Sequence, residues 1–318
     1  MKGMIFVLAV IPVLCFAENN GDKNYNIIPI FKHEFVSFEN QQYHTPRGGM
    51  IFMKGEQTLP LSVERDSLMI MAFYQPYLLK EKGSAHAELA GYSDIYHKIS
   101  FAADRRIKRH NILGGFRSSS DEPVYGGIQT FQTTIGYGYE FVRTESLSLT
   151  LGASIMAPEF DIGSITVPVF PMPFIKFDFT SSWINLSFNW TTSPELDVVI
   201  APESKIRMNG TFSMEGFSGI RDFLFECTLW YRFFNKEDKL GDFAGIGAGI
   251  KNDSINFDLG EKDRMYDMGY YSVFGTIDVS FLEISGGYIF RSWELYDGTT
   301  EQSSGNGYFI SARLTYRF

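Results

Sequence analysis

Two cysteines in 318 residues exclude a disulfide-dense scaffold and a cysteine-based zinc cluster. The five histidines (His33, His44, His86, His97 and His110) form no His-Glu-x-x-His and no His-x-His pair, so no metal motif is present. No Gly-x-Ser-x-Gly elbow occurs either, and no enzyme is expected. Basic residues are too few for a general nucleic-acid binder: 28 Lys and Arg stand against 37 Asp and Glu, a net charge of −9. No stretch reaches the ~18 consecutive apolar residues of a transmembrane helix. What is abundant is 30 Phe, 17 Tyr and 30 Gly, which outweigh the strong helix formers and make a β composition.

The first segment reads as a targeting signal. Lys2 supplies a short positive region, Met4 to Leu14 is apolar, and Cys15-Phe16-Ala17 places small residues where a signal peptidase wants them. Cleavage is expected after Ala17, making 1–17 a signal peptide and 18–318 a single domain. A lipoprotein anchor at Cys15 is the lesser alternative, because Leu14 before it is not small. Cys227 is then the one remaining cysteine.

The body of the chain alternates with period two. Phe131, Thr133, Ile135, Tyr137, Tyr139 and Phe141 share one face; Gln132, Thr134, Gly136, Gly138 and Glu140 share the other. The same alternation runs through 147–155, 175–179, 184–190, 206–214, 223–233, 244–250, 271–279 and 282–290, broken by short polar turns. This predicts antiparallel strands in hairpins. The N-terminal third is less regular, with candidate strands at Ile27 to Glu39, Met50 to Val63, Leu68 to Tyr74 and Tyr96 to Asp104. Pro29, Pro46, Pro60 and Pro76 interrupt or bound them, and proline is poorly tolerated inside a sheet.

Alternation alone suits a soluble sandwich as well as a membrane barrel. Three features favour the barrel. The apolar faces are long. The polar faces are rich in Gly, Ser, Thr and Asn. The last strand alternates from Tyr308 to Phe318, with Tyr308, Ile310, Ala312, Leu314, Tyr316 and Phe318 on one face. Ten steps of ~3.3 Å tilted by ~40° rise about 25 Å, the height of an outer-membrane apolar band. The predicted fold class is therefore all-β, a transmembrane antiparallel up-and-down β-barrel. Sixteen candidate strands can be counted. Asn111 to Phe116 and Leu196 to Ile200 alternate weakly, which sets the expectation at 14 strands within a range of 12–16.

On these residues the chain resembles bacterial outer-membrane β-barrel proteins of porin-like type. The resemblance implies outer-membrane localisation, contact with outer-membrane lipid, and recognition of the terminal strand by the barrel-assembly machinery through Tyr316 and Phe318. It implies no cofactor.

Charged residues on the polar faces are the candidate site. Glu140, Lys176, Asp178, Arg207, Asp222, Glu226, Arg232, Asp278, Glu283, Arg291, Arg313 and Arg317 would line a barrel's lumen. They form either an electrostatic lattice in the wall or a pathway for small solutes or ions. The expected function is a porin-like channel. The alternative is a surface barrel whose outer loops bind partners. The run Arg105-Arg106-Ile107-Lys108-Arg109-His110 reads as a solvated basic turn. Gly245-x-Gly247-x-Gly249 reads as small residues on a lumen face, because no helix pattern follows it.

Overall fold

A computed structural model describes residues 36–45, 48–63, 66–81, 95–120, 131–157, 160–162, 165–167, 169–214, 223–233, 244–258, 265–279, 282–296, 300–302 and 305–316. They form β1 (Val36–Thr45), β2 (Gly48–Val63), β3 (Asp66–Glu81), β4 (Ile95–Ile107), β5 (His110–Ser120), β6 (Phe131–Arg143), β7 (Leu147–Ala157), β8 (Phe160–Ile162), β9 (Ile165–Val167), β10 (Phe170–Thr180), β11 (Ile184–Trp190), β12 (Pro194–Ile200), β13 (Ile206–Met214), β14 (Phe223–Arg232), β15 (Ala244–Asp258), β16 (Met265–Val279), β17 (Leu282–Tyr296), β18 (Thr300–Gln302) and β19 (Gly307–Tyr316). Among the described residues no helix is long and apolar enough to cross a membrane. The expected signal peptide, the start of the Ile27 to Glu39 candidate, Asp222, Arg317 and Phe318 lie outside the described residues.

β8 and β9 make a small hairpin, and β18 pairs with the end of β17. The other sixteen strands make one antiparallel sheet in which each pairs with two neighbours. β7 passes to β10, β17 passes to β19, and β1 pairs with both β2 and β19. The β1–β19 seam runs from Val36 opposite Tyr316 to His44 opposite Tyr308. Sixteen is the upper end of the expected range rather than its centre. Both weak candidates belong to the wall. β5 lies between β4 and β6, and β12 lies between β11 and β13. Their weakness has local causes. β5 carries Gly114 and Gly115 at its middle, and β12 has only seven residues and begins on Pro194.

Pro60 and Pro76 do not end their strands, while Pro29 and Pro46 lie outside the described residues. β2 runs through Pro60 and β3 through Pro76. The β2–β3 ladder keeps one register from Phe52 opposite Tyr77 to Gly55 opposite Tyr74, but it skips the positions facing Gln75 and Pro76. Proline has no N–H to donate, so the rung is lost while the strand continues.

The two faces differ sharply. Ile135 is 71% exposed between buried Thr134 and Gly136, and Leu229 is 57% exposed between buried Thr228 and Trp230. Ile155, Ile206, Ile277 and Ile310 are exposed on the same outer side. Ser154, Thr276 and Ser311 are buried on the inner side. Backbone N–H and C=O groups are taken up by the ladders, the condition for a chain to cross hydrocarbon. An apolar exterior over a polar interior is the surface of a membrane-spanning barrel. Short connections (64–65, 108–109, 144–146, 181–183 and 280–281) fall at one end. The connections 82–94, 121–130 and 158–169 fall at the other, together with the short 46–47 and 191–193, while 233–243 is a longer connection at the short-turn end.

Candidate functional site

At the short-turn end of the interior, strands that do not adjoin are tied by charge. Glu140 on β6 is buried and accepts both its oxygens' contacts from Arg106 Nη2 on β4, at 2.6 Å each. Arg143 Nη1 stands 4.0 Å from the same carboxylate, and Ser148 Oγ donates to it at 3.5 Å. Lys176 on β10 is ion-paired with Asp104 on β4 and lies 5.2 Å from the centre of the Phe174 ring. Asn111 Nδ2 on β5 donates to Thr150 Oγ1 on β7, passing over β6. These contacts span the inner face rather than following the ladder.

The other expected lumen residues are placed as follows. Asp178 accepts from Ser187 Oγ at 2.8 Å. Glu226 sits in register between Thr211 and Lys251 and accepts from Thr228 Oγ1 at 3.5 Å. Arg207 stands opposite Trp230, and buried Arg232 stands opposite Gly245. Asp278 faces Glu283, whose carboxylate is 3.7 Å from Arg313 Nη1; the next register position beyond Arg313 is Glu39. Tyr316, expected from the sequence to carry an assembly signal, lies on β19 opposite Val36.

Arg291 departs from the expected lumen placement. The β16–β17 ladder shifts between Tyr271 and Ser272: Ser272 faces Ile289, while Tyr271 faces Arg291. Phe290 is the extra residue of a β-bulge, so Phe290 and Arg291 both fall on the Tyr271 side, and both are exposed. Ile289 and Ser292, on either side of them, are buried. A bulge reverses the phase of every residue beyond it, which no strict alternation can anticipate.

Aromatic rings share the inner face, seated over glycines. Phe174 is fully buried, and a methyl group on Gly138 would stand 2.7 Å from its ring and 2.7 Å from Thr150 Cγ2. Phe309 and Phe274 crowd Gly287 in the same way, a Cβ there meeting Phe309 Cε1 at 2.5 Å. Lys251 Nζ lies 4.5 Å from the centre of the Phe309 ring and 5.8 Å from that of Phe274.

At the long-loop end, opposite walls touch. Tyr96 of β4 stacks on Phe257 of β15 at 4.7 Å and on Tyr266 of β16 at 5.3 Å. Tyr77 of β3 meets Phe257 edge-on at 4.9 Å. Ser119 Oγ of β5 donates to the Asn256 carbonyl of β15 at 2.6 Å. The four rings are buried. This aromatic clasp divides the ring of strands, leaving nine (β5 to β15) around one lobe and seven (β16 to β4) around the other.

Asp104, Arg106, Lys251 and the clasp rings are not among the residues expected from sequence. A signal for some of them was present. Phe174 has the parity of Lys176, Phe274 that of Thr276, and Phe309 that of Ser311, so large rings stand in a polar register. Among the described residues no group of three or more His, Cys, Asp or Glu is placed to hold a metal ion.

No protein-family model and no curated protein matches the sequence. Among solved structures the chain is similar to OccAB3 of Acinetobacter baumannii, at 9% identity and a TM-score of 0.39, covering 89% of this chain and 98% of that one. It is similar to a BenF-like porin of Pseudomonas fluorescens Pf-5, at 11% identity and a TM-score of 0.35, covering 88% and 97%. It is also similar to OpdK of Pseudomonas aeruginosa, solved with vanillate, at 8% identity and a TM-score of 0.37, covering 89% and 98%.

Proposed function

We propose that the protein is an outer-membrane barrel that conducts small solutes or ions along a mixed-charge lumen. The observation that supports this best is the pair of contacts Lys176–Asp104 and Arg106–Glu140, which reach across the inner face between strands that do not adjoin. A wall needing only to close could satisfy its polar residues between neighbours. Charges of both signs held over the interior set up a local field that a passing solute must cross. In this reading residues 1–17 are removed on export, the inner charges tune selectivity, and Tyr316 with Phe318 forms the assembly signal. The rival role, loops that bind partners, rests mainly on segments outside the described residues.

Two measurements test the reading together. Cell fractionation should recover the protein with the outer membrane. The purified protein in planar bilayers should give discrete conductance steps. Recovery from the soluble fraction, or a folded protein that inserts without conducting, would remove the channel.

A further inference from the structure

The outward turn of Arg291 places a guanidinium where the apolar exterior ends. Counting from Leu282, nine steps of ~3.3 Å at a tilt of ~40° lift Arg291 about 23 Å, close to the top of a band roughly 25 Å tall. Around it stand exposed Phe290 and half-buried Tyr271 and Phe225, backed by the buried Trp293 ring over Gly269. Tyr271 lies 5.6 Å from Trp293, 6.1 Å from Phe290 and 6.5 Å from Phe225, ring centre to ring centre. Such rings mark the depth of lipid headgroups.

The nearby polar groups on this face are engaged. Asp267 accepts from Ser254 Oγ, and Asn252 spans the Phe225 N–H and the Phe223 carbonyl. Among the described residues no carboxylate forms an ion pair with Arg291. The inner alternative was worse for this residue. Without the bulge it would point into the compartment that already holds the Lys251 ammonium against Phe309. A bulge re-aims a side chain at the expense of one ladder position, and here the side chain it re-aims is a cation.

We infer that Arg291 and this aromatic collar bind the phosphate of an anionic lipid in the leaflet at the long-loop end. The planar guanidinium offers paired donors that match phosphate oxygens, and an arginine stem is apolar enough to sit among rings while its head stays in water. The inference depends on the barrel but not on conduction.

The test is binding of phosphatidic acid to the detergent-solubilised barrel by native mass spectrometry, with phosphatidylcholine and inorganic phosphate as separate arms. Phosphatidic acid should bind in preference to phosphatidylcholine. Arg291→Gln should weaken it roughly tenfold or more, the scale of one charge-assisted hydrogen bond. Arg291→Lys should keep part of the affinity, as a point charge without the fork. Arg313→Gln, on the inner face, should change nothing. Equal binding by Arg291→Gln and the parent barrel would overturn the inference. So would competition by millimolar inorganic phosphate, which would mark a site for free anion rather than lipid. If the Gln variant does not fold, full retention of preference in a folded Arg291→Met variant, or its loss, decides the matter.

Discussion

The Lys176 ammonium of β10 is ion-paired with the Asp104 carboxylate of β4, although β5, β6 and β7 separate the two strands along the wall. The contact draws a quarter of the ring into a tight curl, with the Phe174 ring filling the bend over Gly136 and Gly138. Lys176→Met leaves the Asp104 charge uncompensated in the passage. The reversal potential in a KCl gradient should then shift toward cation selectivity, and Lys176→Met with Asp104→Asn should return it toward the parent value. An unchanged reversal potential in the single variant would place the pair off the conduction path.

The buried Glu140 depends on Arg106. Arg106→Ala strands a carboxylate in the wall, and loss of one partner of a buried pair costs about 3–5 kcal/mol. The folded band on unheated SDS gels should convert at lower temperature. Removing both partners should cost less than removing Arg106 alone, because no orphaned charge remains.

Gly138→Ala forces a methyl group into the Phe174 ring and Thr150. Overpacking of this kind costs about 1–3 kcal/mol. The loss should shrink in a Phe174→Leu background, so a double-mutant cycle on thermal stability reads the contact directly. Additive losses would mean that the ring and the glycine do not meet.

The aromatic clasp narrows the long-loop mouth. Replacing Tyr96 and Phe257 together by Ala should raise single-channel conductance, because opposite walls lose their stacked contact. Gly-level changes elsewhere on the outer face should leave it untouched. Identical conductance in the parent and the double variant would show that current does not depend on the clasp.

Leu229 faces outward near the middle of β14, and Leu229→Arg should cost about 2–4 kcal/mol of barrel stability. Ser187→Lys, on the inner face of β11, should cost far less. Similar costs at the two sites would contradict the assignment of faces.

Much of this wall is legible in the chain because a strand's two faces repeat every second residue and one face is apolar throughout. Phe131 to Phe141 and Leu147 to Ile155 read off directly. What stays hidden follows from events that leave no mark on composition. The bulge at Phe290 changes the phase of Arg291 without a glycine or proline to announce it. Pro76 removes a rung without ending β3. The partners of Glu140 and Lys176 come from β4, where Asp104 and Arg106 sit in an irregular stretch. Their pairing depends on the curl of the wall, a property of several strands at once. The clasp joins residues of β3 and β4 to residues of β15 and β16, a distance along the chain that periodicity cannot bridge.

The seam at β1 and β19 imposes an order on folding. Val36 finds its register against Tyr316, so the first strand of the ring keeps one edge unpaired until the last strand arrives. An open strand edge is a template for the wrong partner, and pairings this remote in sequence form slowly. The nascent barrel therefore passes through a stage with two exposed margins, at β1 and at β17, and β19 is the strand that pairs with both. The arrival of β19 is what ends that exposure, closing both margins in one step.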